Sequence, residues 1–278
     1  MATRDEQVTI RSGDADLAGT LVTPGVKLPG VLFVHGWGGS QAQYLGRAHQ
    51  MAALGCICMA FDLSGHAQTA SLRDTVSREV NLRDVLAAYD RLCNHPAVDR
   101  DHIAVVGSSY GGYLAAILTS MRPVRWLGLR VPALYKDQSW ESPKLQLRAS
   151  QDLDAWRKTF VPAADNRALR ACTEFQGDVL VVESEHDKII PHPVISSYIE
   201  SFVNAHSLTY RVLRGADHGL SDKEHQTAYN FLVTNWMGEM IRAAHEGQVP
   251  STAPPAPPAE PLAAPETPPV VDETRHAA

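Results

Sequence analysis

Val105-Val106-Gly107-Ser108-Ser109-Tyr110-Gly111-Gly112 is an apolar run that stops abruptly in a Gly-x-Ser-x-Gly turn and continues as a helix-like segment. The pattern suits a nucleophile elbow, in which a strand ends, the chain turns tightly and a helix begins, leaving one side chain raised above the sheet edge. Ser109 would be that side chain. Gly107 and Gly111 flank it because side chains there would collide with the neighbouring strand and helix. Taken alone the motif also fits an ordinary Ser-Gly loop, so the surrounding chain has to decide.

Outward from this turn, strand-like and helix-like segments alternate. Upstream, Val31-Leu32-Phe33-Val34 reads as a strand buried on both faces and ends in His35-Gly36-Trp37-Gly38-Gly39-Ser40. A helix is predicted over about 41–54, then a buried strand over Cys56 to Phe61 that ends at Asp62-Leu63-Ser64-Gly65-His66, then a helix over 74–94 closed by Pro96. Downstream come a helix over Tyr113 to Ser120, a strand over Val124 to Val131, a buried strand Val179-Leu180-Val181-Val182, a helix from Pro193 to Asn204, an alternating strand Leu208 to Leu213 and an amphipathic helix over Lys223 to Ala244. Residues 6–24 alternate polar and apolar around Ser12-Gly13-Asp14 and read as an antiparallel hairpin at a sheet edge. Repeated alternation with short connections implies an α/β domain with a mostly parallel sheet covered on both faces.

The regularity lapses over about 133–177, where Tyr135, Trp140, Trp156 and Phe160 stand among many charged residues. An insertion of that length between sheet elements reads as a small helical lid or binding feature; the alternative is a pair of surface helices whose aromatics fill a core of their own. From Gln248 the composition turns to proline and alanine, which lack the bulk for a core, so 1–247 is expected to form the domain and 248–278 a disordered tail. That tail reads as a tether or, more simply, as a solvated extension.

With 278 residues the chain can build one large core. A formal net charge of −6 and no long basic cluster argue against nucleic acid as a partner. The polar Met1 to Gln7 lacks the apolar centre of a secretory signal and no apolar run reaches membrane-spanning length, so a soluble, cytoplasmic protein without a membrane partner is expected. Cys56, Cys58, Cys93 and Cys172 lack a second Cys or His cluster at ligand spacing, and read as free thiols rather than a metal or redox pair.

A serine hydroxyl is a poor nucleophile unless a base takes its proton as it attacks, and the base needs a third group to hold its tautomer. In a parallel sheet all strands finish on one edge, so polar residues just after buried strands converge. Of twelve histidines, His218 lies just beyond a late strand with a glycine after it, and is the preferred base; His35 and His66 follow earlier strands and read as loop-shaping groups. Asp187, a short turn after Val182, is the preferred acid. Asp217, Glu183 and Glu185 are weaker candidates, and His186 could compete for the hydrogen bond of Asp187. The tetrahedral oxyanion needs donors already aimed at it, and the backbone N–H groups of Tyr110 and Trp37 are placed to supply them.

HGWGG at 35–39, FDLSGH at 61–66, GSSYGG at 107–112 and the Asp187 and His218 loops, in the order Ser, acid, His, together resemble the α/β-hydrolase superfamily over residues 6–244. The likeness is to small serine esterases and to dienelactone-hydrolase-like and serine-aminopeptidase-like relatives. It implies a mostly parallel central sheet of about eight strands with helices on both faces and a lid. It also implies acyl-enzyme hydrolysis of a small-molecule acyl substrate, on this chain a carboxylic ester, without cofactor or metal. A peptidase, thioesterase or acyltransferase on the same triad, or a ligand-binding relative without turnover, are the alternatives. The family's FDxRGHGxS stretch departs here, with Ser64 where Arg is usual and Ala67 for Gly. Dienelactone hydrolases use Cys as nucleophile, so Ser109 points towards ester cleavage.

Overall fold

The computed structural model describes residues 3–12, 15–24, 27–147, 150 and 152–248, with side-chain surroundings over 27–147, 150 and 152–244. Strands β1 (Thr3–Ser12) and β2 (Ala15–Pro24) pair with each other in antiparallel register, Thr3 opposite Pro24 and Ser12 opposite Ala15. After them the chain alternates: β3 (Leu28–Val34), α1 (Ala42–Ala53), β4 (Ile57–Ala60), α2 (Arg78–Cys93), β5 (Val98–Ser108), α3 (Tyr110–Leu118) and β6 (Trp126–Arg130). Then follow the one-turn α4 (Leu153–Trp156), α5 (Arg167–Glu174), β7 (Asp178–Ser184), α6 (His192–Ser201), β8 (Ser207–Leu213) and α7 (Lys223–Gln248).

β3 to β8 form one all-parallel sheet in the order β4-β3-β5-β6-β7-β8. Among the described residues the central sheet therefore has six strands, not about eight: the hairpin β1-β2 is a separate two-stranded sheet. Alternation reveals a half-buried antiparallel strand but not which sheet it joins, because a hairpin satisfies its inner hydrogen bonds by itself. A second correction concerns β4, expected to be buried. It is the edge strand, and all four of its residues are partly exposed.

Side chains of one strand point alternately to the two faces, and each face has its own core. Leu32, Val34, Val105, Leu127, Leu129, Val179 and Val181 share one cluster with apolar residues of α2, α3, α5 and α6. Val31, Phe33, Ala104, Val106, Trp126, Leu180 and Val182 share the other with Tyr44 and Met51 of α1 and with Tyr229, Val233, Trp236 and Met237 of α7. Double coverage explains the nearly unbroken apolar runs of the inner strands.

The chain leaves β3 towards β4, then returns past β3 to β5, so the winding reverses between β3 and β5. Right-handed crossovers consequently place α1 and α2 on opposite faces, and a crevice opens at the carboxyl ends of β3 and β5. Packing there is tight: a Cβ on Gly107 would lie 2.5 Å from Gly111 O, and one on Gly111 would lie 2.2 Å from Val34 O and 2.5 Å from His35 O.

The described helices include none long and apolar enough to cross a membrane. All four cysteines are free, Cys56 and Cys172 buried and the other two partly so. The tail expected from residue 248 lies outside the described residues except for Gln248 itself.

Since the atoms opposing a Cβ at Gly111 are backbone, Gly111→Ala is expected to destabilise the protein by about 3 kcal/mol, the upper end of overpacking costs. Urea unfolding followed by far-ultraviolet circular dichroism measures it, and a change below about 0.5 kcal/mol, the scale of a neutral surface substitution, contradicts the packing.

Candidate active site

Ser109 sits between β5 and α3 with φ 52° and ψ −118°, a left-handed conformation that a non-glycine residue keeps only when its surroundings enforce it. The enforcement is hydrogen bonding: Ser109 N–H donates to Arg130 O at 2.9 Å, and Ser109 O accepts from Tyr113 N at 3.1 Å and Ala133 N at 3.0 Å.

Beyond β7, the carboxylate of Asp187 is almost wholly buried, 2% exposed. Its Oδ1 accepts from the backbone N–H groups of Ile189 and Ile190 at 2.7 and 2.8 Å. Its Oδ2 lies 2.6 Å from His218 Nδ1, and His218 Nε2 lies 3.0 Å from Ser109 Oγ. An ionised carboxylate only accepts, so Nδ1 of a neutral His218 must carry the proton and Nε2 is left to receive the serine hydroxyl proton. Ser109, Asp187 and His218 are thus brought into one hydrogen-bonded chain. The weaker acid candidates are engaged elsewhere. Asp217 accepts from Ser221 N and Oγ, Glu183 pairs with His192 and Tyr210, and Glu185 accepts from Gly215 N. His186 is exposed and its Nε2 stands 3.9 Å from Glu185.

The turn after β3 lies against the serine: a Cβ on Gly36 would sit 3.2 Å from Ser108 O and 3.3 Å from Ser109 Cβ. Trp37 and Ser109 line the same pocket. Two imidazoles brace this turn from below. His35 Nε2 accepts from Leu63 N–H at 3.0 Å while Nδ1 donates to Gly36 O, and His66 Nε2 accepts from Gly38 N–H at 3.0 Å while Nδ1 donates to Ser64 O. Their rings meet edge-on at 4.9 Å, and Trp37 stands edge-on to His66 at 4.7 Å and to Tyr110 at 5.6 Å. Burial is the main cause that lowers the pKa of both; for His66 the neighbouring His35 adds to it.

The departures from the family stretch have local explanations. Ser64 donates through N–H and Oγ to the two oxygens of Asp84 at 2.8 and 3.1 Å, and Asn81 ties Ser64 O to the Tyr110 hydroxyl. Ala67 holds φ 44°, a conformation natural to the glycine usual there.

The pocket above Ser109 has a volume of about 570 Å³. Much of its wall comes from 133–177, through Tyr135, Lys144, Leu145, Leu153 and Arg157. This insertion is fastened rather than packed around a core of its own. The buried guanidinium of Arg78 donates to Lys136 O at 2.7 Å and to Gln138 O, the Tyr198 hydroxyl donates to Ala133 O at 2.9 Å, Val161 N–H donates to Ser197 Oγ at 2.9 Å and Lys144 N–H donates to Val76 O at 2.8 Å, while Arg157 and Asn166 bond Leu134 O and Tyr135 O within the insertion. Leu147, Leu153 and Val161 belong to the main core. Of the aromatics expected to form the binding feature, Tyr135 alone lines the pocket. Trp140 stacks on Tyr113 with Arg78 and Arg167 over its ring, and Trp156 and Phe160 border a separate hollow.

Sequence reasoning missed Arg130, which is 8% exposed and donates through Nη2 to His218 O at 2.9 Å. A charge at the end of the apolar run Trp126-Leu127-Gly128-Leu129 was the available signal. Lys144 and Arg157 were also missed, and the irregular stretch that carries them has no period to single them out.

The sequence profile of the prolyl oligopeptidase family matches residues 43–243, most of the chain. The chain belongs to the prolyl oligopeptidase family. Its fold is the α/β-hydrolase fold. A monoacylglycerol lipase from Paleococcus ferrophilus is similar over 77% of this chain and 96% of its own, at 18% identity and a TM-score of 0.57. Carboxyl esterase 2 from the mycorrhizal fungus Tuber melanosporum is similar over 85% of this chain and 86% of its own, at 17% identity and a TM-score of 0.55. A putative dipeptidyl aminopeptidase IV from Bacteroides ovatus matches 85% of this chain with 36% of its own, at 17% identity and a TM-score of 0.56. No curated protein matches. Identities this low speak for the shared fold alone.

Because His35 and His66 accept through Nε2, protonation would set an N–H against an amide N–H. Their folded pKa values lie below the ordinary value of about 6.5, so between those two values the unfolded chain binds protons that the native state refuses. Stability is therefore complete above about pH 6.5 and is lost as the pH falls towards the folded values. Urea midpoints across this range are expected to fall on the acid side, and to fall less steeply in His66→Gln; identical slopes in the two proteins contradict the bracing role.

Proposed function

We propose that this chain is a serine hydrolase that cleaves carboxylic esters through an acyl-enzyme. The observation that carries the proposal is the continuous chain from Asp187 Oδ2 through His218 to Ser109 Oγ, with steps of 2.6 and 3.0 Å. Both steps are within the reach required of a general base and its orienting acid.

In this reading Ser109 Oγ attacks the acyl carbon while His218 Nε2 takes its proton, and Asp187 stabilises the imidazolium. Charge collects on the carbonyl oxygen, where the N–H groups of Trp37 and Tyr110 donate; one such donor contributes about 3 kcal/mol to the barrier reduction. The close approach of Gly36 to Ser109 supports this role for Trp37, and the position of Tyr110 in the first turn of α3, where backbone N–H groups lack helical partners, supports its own. Collapse expels the alcohol with the proton from His218. Water, activated by the same imidazole, then releases the acid. Arg130 holds the His218 backbone and so acts as a positioning residue. The 133–177 segment serves as a cap that shapes the pocket, which is supported by its share of the wall.

The fold shared with a lipase and an esterase over 96% and 86% of their lengths is compatible with an ester as substrate. The family match favours a second reading, a peptidase on the same three residues. Turnover of aryl esters against aminoacyl anilides separates the two.

Fluorophosphonate labelling is expected to be complete in the wild type and absent in Ser109→Ala; persistent labelling in the variant refutes the nucleophile. On one chromogenic ester, Asp187→Asn is expected to lower kcat by about 10⁴-fold, the scale of losing the tautomer-holding acid, whereas Asp217→Asn stays within about threefold. The reverse ranking overturns the choice of acid.

A further inference from the structure

The molecule carries a formal net charge of −6, yet the pocket above Ser109 gathers four cations, Lys144, Arg157, Lys158 and Lys188, against one carboxylate, Asp154. Two of the four are built into the wall. Arg157 is 6% exposed, and its Nε and Nη2 both donate to Leu134 O, at 3.0 and 2.8 Å, which fixes the guanidinium in place. Lys144 Nζ sits in an aromatic cage, 4.2 Å from the ring centre of Trp37, 5.1 Å from that of Tyr110 and 5.4 Å from that of Tyr135.

Among the described residues neither of these cations forms an ion pair with a carboxylate. Taking the Arg157 guanidinium out of water and the Lys144 ammonium partly so is costly, and contacts with aromatic faces recover only part of that cost. Tyr135 bonds both of them, and two charges with no carboxylate against them, beside Ser109, make a place prepared for an anion. Tyr135 registers the field between them. Burial alone pushes its phenol up, and Lys144 and Arg157 together more than reverse this, so its pKa lies below the ordinary tyrosine value. The Lys144 ammonium is itself pushed down, chiefly by burial, which an arriving anion would offset.

We propose that Lys144 and Arg157 form an anion subsite of the Ser109 pocket, and that the preferred substrate is an ester carrying a carboxylate a short distance from the scissile carbonyl. The position follows from Trp37, whose backbone belongs to the oxyanion turn and whose ring lies under the Lys144 ammonium. An anion held there stands beside the reacting carbonyl rather than at the pocket mouth. The inference rests on Ser109 as the acyl acceptor.

Two substrate pairs test it in low salt. One places the charge on the acyl part, para-nitrophenyl hydrogen adipate against para-nitrophenyl heptanoate. The other places it on the alcohol part, meta-carboxyphenyl butyrate against phenyl butyrate. In one pair kcat/KM for the charged ester is expected to exceed that for the neutral one by about tenfold or more. In Lys144→Met that ratio is expected to fall by about tenfold, and in the wild type to shrink with added salt. Charged-to-neutral ratios at or below one in both pairs, or an unchanged ratio in a folded Lys144→Met, overturn the proposal. Protection of Ser109 from fluorophosphonate provides a readout that needs neither turnover nor a variant. Adipate is expected to slow labelling of the wild type where adipamide, its uncharged diamide, at equal concentration does not, and equal protection by the two, or none, also overturns it. If no ester of either kind is hydrolysed while Ser109 still labels, the ester reading fails and the protection experiment still decides the subsite.

Discussion

The site depends on how closely the start of α3 approaches the end of β3. A side chain at Gly111 would run into the carbonyl oxygens of Val34 and His35, so the two backbones meet with nothing between them. That contact sets the turn carrying Ser109 directly against the turn carrying Trp37. In the proposed mechanism the two turns share one carbonyl, which requires backbones within a few ångströms of each other. Interiors packed to crystal-like density do not adjust continuously, so the contact is either made or lost.

Around it the polar interior is held mainly by neutral groups. His35 and His66 each donate through one nitrogen and accept through the other, satisfying the backbone of two loops without burying a charge. Asn81 joins Ser64 to the hydroxyl of Tyr110, so the helix after Ser109 is tied to the loop after β4. Buried polar groups stabilise only when fully partnered, and this network is close to that condition. Where full charges are buried outside the pocket, each has a structural duty: Arg78 clamps the start of the insertion and Arg130 the backbone of His218.

The pocket holds two further cations. Arg157 is anchored by Leu134 O and Lys144 by aromatic faces, both also bond Tyr135, and neither has a carboxylate partner among the described residues. Arg78 and Arg130 serve the framework, whereas Lys144 and Arg157 line the pocket beside Ser109, and the proposed anion subsite rests on that placement. The proposed subsite requires that the insertion be held firmly, because cations on a loosely held segment would drift to water.

Much of this was legible in the sequence. The apolar runs of β3, β5 and β7, the glycines around Ser109 and the order of Ser109, Asp187 and His218 follow from local rules: strands buried on both faces read as unbroken apolar stretches, and polar residues just beyond them collect on one edge. The hairpin and β4 were misplaced because periodicity records which side of a strand is apolar and not which partner covers it. Trp140 and Trp156 were taken for pocket residues because an aromatic ring looks the same in sequence whether it faces a cavity or stacks on Tyr113. By itself, then, the sequence determined the strand and helix alternation and the three residues of the hydrogen-bonded chain, since these rest on interactions short in the chain or repeated along it. Only the tertiary structure decided that the sheet stops at six strands, that Arg130 supports His218, and that Lys144 and Arg157 face Ser109, because those contacts join residues tens of positions apart whose pairing no local pattern encodes.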